Sequence, residues 1–449
     1  MSASPTLKQR ALRAGGWSLA GHGVSLAIRL GGNLIMTRLL IPEMFGIAAI
    51  AAMVPIILAL LSDIGLGQNI VQSRRGEDPT FLNTAWSVQI IRGFLLWAVA
   101  ILLSAALYMA NLGGYVPANS VYASPALPLV IAVTSFSACI SGFASTRLFT
   151  ALRVLDQKRS IQVELAGQVA GLAVMITLGV ITRSIWSLVA SVLVSSFTTT
   201  VLSHVWMSGH PNRIQWDRDA LHELLHFGKW IFVSSAVYVL AVNGDRIILG
   251  GLVDAHMLGL YAIAAMMVGA VEAGLSKLVS SVSLPAFSEI VRKEPDRLRE
   301  VYYRLRVPCD LVLLFMAGFL FATGHLIVEM LYDPRYLSAG HMLQVLATSL
   351  VIARYGVAHK LYIAMGLPRY EALINSVRLL GLLTCVPLSY YFAGLQGTMW
   401  AIALHALPTV FVVFWINAKF DLNDFRREMI VLVALPSGWL CGYTLSQLR

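Results

Sequence analysis

The sequence predicts an all-α polytopic membrane protein: two six-helix bundles related by a pseudo-two-fold axis along the membrane normal, with twelve spans and an extra C-terminal apolar segment. Three observations predict it. The chain is 57% hydrophobic and 12% charged, with a mean hydropathy of +0.73, whereas soluble domains carry about 25% charged residues. Apolar stretches of about 20 residues, long enough to cross a bilayer as helix, recur along the whole chain. Finally, "MFGIAAIAAM" at Met44–Met53 returns as "MLGLYAIAAM" at Met257–Met266. A membrane β-barrel is excluded, because its strands would be about 10 residues long and alternate in polarity.

The predicted spans are 16–37, 45–65, 84–110, 124–146, 161–181, 184–207, 227–251, 258–283, 306–327, 338–365, 371–393 and 395–418. A further apolar stretch covers 429–446; either it does not cross, or the C-terminus lies outside. The first stretch holds His22 and Arg29 and lacks a small-residue cleavage site, so it is expected to be a retained helix. Cys139, Cys309, Cys385 and Cys441 lie in apolar runs without metal-type spacing and are expected to pack as small residues.

Lys and Arg set the sidedness. Lys8, Arg10, Arg13, Arg74, Arg75, Arg147, Arg153, Lys158, Arg159, Arg292, Lys293, Arg306, Arg426 and Arg427 are among those that fall on one side. Only Arg38, Arg183, Arg335 and Arg449 fall on the other. The positive-inside rule then puts the N-terminus in the cytoplasm. Much of the net charge of +10 is an orientation signal and an attraction to anionic lipid. With no stacking or base-reading module present, nucleic acid is not an expected partner.

The echo of ten letters belongs to a longer ungapped register. At an offset of 213, Gly15 meets Gly228, Trp17 meets Trp230, Gly31 meets Gly244, Ile35 meets Ile248 and Leu39 meets Leu252. Both copies run in the same direction across the membrane, so a parallel duplication is expected, with alternating access around a site shared by the halves. The predicted organisation is an N-terminal bundle at 1–208, a cytoplasmic linker with an amphipathic interfacial helix at 209–226, a C-terminal bundle at 227–420, and a cytoplasmic loop with the extra segment at 421–449.

Charges inside spans are the candidate site. A charge at the bilayer centre costs about 2.5–3.5 kcal/mol on insertion scales, so such a residue should face a wet cavity or a partner. Arg92, Arg378 and Asp310 sit near the cytoplasmic side, where they can snorkel. Arg29 is deep in its helix; its repeat partner is Val242, and Arg246 lies one turn beyond Val242 on the same face. Their planar forks suit phosphate oxygens, and with Lys277 and Arg354 they form the candidate anion-binding set. Asp63, Asp245 and Glu272 are candidates for binding a coupling ion or balancing the arginines, against the alternative of plain structural salt bridges. No catalytic residue, metal site or cofactor is predicted.

"TRLLIPEMFGIAAI" (Thr37–Ile50) resembles the first hairpin of the oligosaccharide flippases of the multidrug/oligosaccharidyl-lipid/polysaccharide (MOP) exporter superfamily, with Arg38-Leu39-Leu40, Pro42-Glu43 and Phe45-Gly46 at the family spacing. "DIGLGQNIVQ" (Asp63–Gln72), "VNGDRIILGGLVDAHMLGLYAIA" (Val242–Ala264) and "LPAFSEI" (Leu284–Ile290) extend the resemblance along the chain. It implies a flippase of the bacterial inner membrane. The cargo would be a polyprenyl (undecaprenyl)-diphosphate-linked oligosaccharide, carried from the cytoplasmic to the periplasmic leaflet for polysaccharide biosynthesis. The family's helix-one arginine maps onto Arg29. Membrane lipids, H+ or Na+ as coupling ion and a polysaccharide polymerase are the implied partners, and Trp17, Trp230, Tyr238, Tyr261 and Tyr355 the aromatic candidates for sugar stacking. The extra thirteenth segment departs from the usual count of twelve or fourteen.

Two rivals remain. "HELLH" at His222–His226 matches a zinc-protease pattern, but its leucines equally suit an interfacial helix and no third ligand follows. A drug/cation antiporter of the same superfamily would share the architecture, with an acidic rather than a basic cleft.

Overall fold

Helix boundaries repeat with the letters. The computed structural model describes residues 7–63, 65–154 and 156–448, with side chains described except at 7–14, 225–236, 281–282 and 284–285. Helix α1 (Leu7–Leu39) ends and α2 (Pro42–Leu61) begins at positions 213 before the end of a later helix, Arg218–Leu252, and the start of its successor, Ala255–Lys293. The two breaks are made by different chemistry. In the first hairpin Pro42 occupies the opening helical position, where its missing N–H costs nothing. In the second, Asp254 caps the helix, its Oδ1 accepting from Met257 N at 2.8 Å. The repeated letters also share a face: Gly46, Ile50 and Ala51 are buried, and so are Gly259, Ile263 and Ala264.

The chain divides into two compact units, 1–239 and 240–449. The N-terminal unit continues with α3 (Leu66–Gln72), α4 (Pro79–Leu112), α5 (Leu127–Gly142), α6 (Arg147–Arg153), α7 (Gln157–Thr182) and α8 (Trp186–Val205). It closes with the first part of α9 (Arg218–Leu252). The C-terminal unit holds the rest of α9, α10 (Ala255–Lys293), α11 (Leu298–Leu331), α12 (Ser338–Ala347), α13 (Leu350–Ala353), α14 (Gly356–Ala364), α15 (Pro368–Leu404), α16 (Leu407–Lys419), α17 (Phe425–Val431) and α18 (Ala434–Gln447). No strand occurs among the described residues.

Among the described residues, eight helical stretches are long and apolar enough to cross a membrane, or nine if α5 and α6, bent by 63° at their break, form one. The expected spans at 16–37 and 227–251 lie in α1 and α9, parts of which fall outside the described side chains, and are not among those eight. The expected span 338–365 is broken into α12, α13 and α14. The expected boundary between 393 and 395 is a kink at Gly394, whose φ of 58° needs a residue without Cβ. The extra C-terminal stretch, Phe425–Gln447, qualifies as a span.

Segment 209–226 is not a free linker. Asn212 Oδ1 accepts from Ser145 Oγ at 2.7 Å, and its Nδ2 donates to Thr146 Oγ1 at 2.7 Å. Gln215 is stitched to α4: its Oε1 accepts from Asn83 Nδ2 at 2.9 Å, and its N–H donates to Ser87 Oγ at 3.1 Å. Ala220 and Leu224 are fully buried with Ile70, Phe81 and Leu82. The expectation of an interfacial helix carrying Leu224 on the membrane is thus corrected: this turn of α9 packs into the N-terminal unit, and Leu225 lies outside the described side chains. The unit boundary falls inside α9, at Val239/Leu240, not in the polar segment. Beside that segment Arg75 pairs with Asp78 at 2.9 Å and holds its carboxyl below the usual range.

Helices α11 and α18 touch backbone to backbone. A Cβ on Gly438 would sit 2.1 Å from the Phe315 carbonyl oxygen, and one on Gly318 2.1 Å from that of Leu435. Gly438→Val is therefore expected to destabilise the purified protein by at least the 1–3 kcal/mol or so typical of overpacking. Gly269→Ala, where a Cβ meets nothing within 4 Å, should leave the melting temperature unchanged or slightly raised. Equal melting temperatures for the two variants would contradict this packing.

Candidate functional site

In an apolar chain each charged side chain must be paired, wet or both, and the predicted residues separate on that test. Arg29 stands on α1 about ten residues, or roughly 15 Å at 1.5 Å per residue, from the Leu39 end. It is exposed and makes no ion pair among the described residues. Lys277 and Glu272, on α10, are also exposed. Arg246 is half-buried on α9 and engaged. Asp63, half-buried, folds its Oδ1 back onto Gly65 N at 2.9 Å, the turn that ends α2.

Asp245 belongs to a polar cluster of the C-terminal unit. Its Oδ2 accepts from the fully buried hydroxyl of Tyr261, while its buried Oδ1 has no hydrogen-bond partner among the described residues. Nearby, His405 Nδ1 lies 2.7 Å from the Ile402 carbonyl, which makes Nδ1 the protonated nitrogen and Nε2 the acceptor for Arg378 Nε at 3.5 Å. A Cβ on Gly381 would sit 2.3 Å from the His405 carbonyl oxygen, so glycine lets α15 close on the α15–α16 corner.

Arg354 is placed differently from the other predicted cations. It is 5% exposed and belongs to a buried quartet. Arg306 grips Glu428 with both arms, Nη1 to Oε1 at 2.6 Å and Nη2 to Oε2 at 3.0 Å, and its Nε lies 3.2 Å from Asp310 Oδ2. Arg354 Nη1 donates to the same Asp310 oxygen at 3.2 Å, and its Nη2 lies 3.2 Å from Glu428 Oε2. Two guanidiniums and two carboxylates sum to zero charge. Tyr302, Tyr303 and Tyr355 finish the lining: Tyr302 and Tyr355 hydroxyls accept from Arg306 and Arg354, and the Tyr303 hydroxyl donates to Glu428 at 3.2 Å. The guanidiniums of Arg306 and Arg354 also lie 4.5 and 4.6 Å from the Tyr355 ring centre.

This quartet was missed from sequence. Arg306 is fully buried, not on the cytoplasmic surface where the charge count places it, and Asp310 is an ion-pair member, not a snorkelling end. The one local signal was the spacing of Arg306 and Asp310, four residues apart on an apolar helix. Of the aromatic candidates, Tyr261 and Tyr355 are buried and spent on Asp245 and on the arginines. Tyr238 is exposed, Trp17 lies 5.3 Å from Lys158 Nζ, and the side chain of Trp230 is outside the described set. In "HELLH", Glu223 Oε1 accepts from Ser73 Oγ at 2.6 Å, and His226 is outside the described side chains.

Comparison with known proteins agrees with this architecture. Residues 35–341 match the family described as polysaccharide biosynthesis protein, and the chain belongs to that family. A curated relative is the lipopolysaccharide biosynthesis protein WzxC of Escherichia coli (strain K12), 20% identical over 307 residues, which are 67% of this chain and 58% of WzxC. The chain thus spans under two thirds of that relative's length. Among solved structures, the lipid II flippase MurJ in an inward closed conformation aligns with a TM-score of 0.71 at 12% identity, over 94% of this chain and 91% of MurJ. An inward-facing multidrug resistance MATE family transporter of the MOP superfamily aligns at 0.64 and 13% identity, over 94% and 96% of the two chains. The chain is a multi-pass membrane protein with the MOP-type fold.

Removing one carboxylate from the quartet leaves a net positive charge in the dark. Glu428→Gln is expected to lower stability by about 3–5 kcal/mol, the cost of breaking a buried pair, read as thermal or denaturant unfolding of purified protein. Glu300→Gln, which breaks an exposed pair with Arg304, should cost less than about 1 kcal/mol. Similar losses from both would show that the quartet is not what secures Phe425–Gln447.

Proposed function

We propose that this member of the polysaccharide biosynthesis protein family is a flippase of the bacterial inner membrane. Its cargo is a polyprenyl-diphosphate-linked oligosaccharide, moved from the cytoplasmic to the periplasmic leaflet by alternating access. The observation that carries the reading is Arg29, a permanently charged fork standing exposed in the body of α1, without an ion pair among the described residues. An arginine kept there at the insertion cost given above needs a return, and a diphosphate supplies it: two planar N–H pairs match two phosphate oxygens. Binding energy at the diphosphate is common to every cargo of this class, so the sugar can vary without altering the grip.

Arg246 and Lys277 are proposed as further residues that contact anionic cargo. Arg354, buried and with both Nη groups engaged in the quartet, takes no part in that grip. Asp63, Asp245 and Glu272 balance positive charge between cargoes or take up H+ or Na+. A polysaccharide polymerase on the far side is the expected consumer of the product. The drug/cation antiporter reading shares the fold, but it has no use for an unpaired arginine in α1 and gains nothing from the family.

In a strain that depends on this protein for surface polysaccharide, Arg29→Ala is expected to cut polymer output at least tenfold with the protein level unchanged. Arg29→Lys, which keeps charge and loses the fork, should fall between. Normal output from Arg29→Ala would remove Arg29 from the cargo site.

A further inference from the structure

The N-terminal unit contains a second cationic site, at Arg92. Helix α2 stops at Leu61 and the chain turns at Asp63 and Gly65 before α3. Helix α5 stops at Gly142 and bends by 63° into α6. The space left where the two helices break is a cavity of about 900 Å³, at the upper end of the range, about 300–1,000 Å³, that small-molecule sites occupy. Its wall is mostly apolar, with Pro55, Ile56, Leu96, Phe149 and Leu152 among its residues.

The polar groups exposed by the breaks are largely answered. Gln89 Nε2 lies 3.1 Å from each of the Ser141, Gly142 and Ala144 carbonyls and shares its two N–H groups among them, at the open end of α5. Arg92 does the same for α2, its Nε donating to Ser62 Oγ at 3.0 Å and its Nη2 to the Ala59 carbonyl. A guanidinium has five N–H groups, so three are left over on Arg92, a residue that lines the cavity. Arg92 makes no ion pair among the described residues, and Asp63, on the same wall, acts on it only over a longer range. A capping role needs two donors. It does not need a permanent charge beside a largely apolar hollow.

We propose that this cavity binds an anionic lipid, with a phosphate oxygen on the free N–H groups of Arg92 and the hydrocarbon chain along the apolar wall. Gln68 and Gln72 of α3, which also line the cavity, are placed to donate to the remaining phosphate oxygens. Basic pockets between membrane helices are a general means of holding lipid phosphates. Phosphate on a hydrocarbon chain is the recognised chemistry, whether it comes from a bilayer phospholipid or from a polyprenyl carrier. The site lies wholly within one unit and stands or falls independently of the transport reading above.

The test is lipid binding to the purified, delipidated full chain, followed by native mass spectrometry and by ligand-induced thermal shift. The probes are phosphatidylglycerol and undecaprenyl phosphate, against diacylglycerol and polyprenol, which carry the same chains without phosphate. The wild type is expected to bind at least one phosphate lipid at least tenfold more tightly than its uncharged partner, and the tighter of the two identifies the source. Arg92→Gln should erase that preference and Arg92→Lys restore part of it. Because Arg92 also caps α2, the readout is the shift on adding lipid, not the starting melting temperature. Ser137→Phe, which fills the cavity and leaves Arg92 in place, should weaken binding as much and serves if Arg92→Gln does not fold. Binding of the uncharged lipids as tight as that of the phosphate lipids, or phosphate-lipid binding by either variant within twofold of wild type, would overturn the site.

Discussion

Uncompensated charge inside an apolar fold is the constraint that orders this molecule. Only 12% of residues are charged, and those that enter helices must be paired or reach water. The quartet of Arg306, Asp310, Arg354 and Glu428 is the paired extreme: four charges, nearly or wholly excluded from solvent, held at hydrogen-bond distances and ringed by tyrosines. Such an arrangement is not a strong source of stability in itself, since desolvation consumes most of the Coulomb gain. It works as a lock. No member can leave without stranding an opposite charge, so Glu428 ties the segment Phe425–Gln447 to α11 and α13. Glycines at 318, 438 and 442 bring the backbones of α11 and α18 close enough to hold that segment along its length.

The same constraint separates structural from functional cations. Arg306 and Arg354 have their Nη groups engaged by carboxylates and hydroxyls within the fold, and their charges answered by Asp310 and Glu428. Arg147 and Arg153 are filled by carbonyls: Arg147 reaches those of His204, Met207 and His210, and Arg153 those of Ile70, Val71 and Ser73. Arg29 has no such internal account, and Arg92 has only part of one. A cation whose charge the fold does not answer is the natural place for an anionic ligand, which is why these two arginines carry the functional weight.

Much of this was legible in the sequence, for a physical reason. Span length and hydropathy are local properties, and the duplication preserved a face as well as letters, so the offset of 213 reappears in both helix breaks and in the burial of Ile50 with Ile263 and Ala51 with Ala264. Pairings between distant residues were not legible. Arg306 and Glu428 are 122 positions apart, and each sits in a basic stretch that reads as a cytoplasmic surface. Segment 209–226 has the polarity of a linker, yet the Asn212 side chain is spent on Ser145 and Thr146, and the Gln215 side chain and backbone N–H on Asn83 and Ser87. Polarity in sequence cannot distinguish a group facing water from one facing a partner.

Arg92 shows the limit from the other direction. Its position near the cytoplasmic end of the expected span 84–110 suggested a side chain stretching to the surface, whereas it turns inward onto the end of α2. The account as a whole rests on movement of a diphosphate-linked lipid across a bilayer. The most direct measurement is transbilayer movement of a labelled polyprenyl-diphosphate sugar in liposomes containing the purified chain. Label appearing on the opposite face well above the protein-free rate, and competed by unlabelled diphosphate lipid, is the predicted result; movement no faster than in empty liposomes would contradict it.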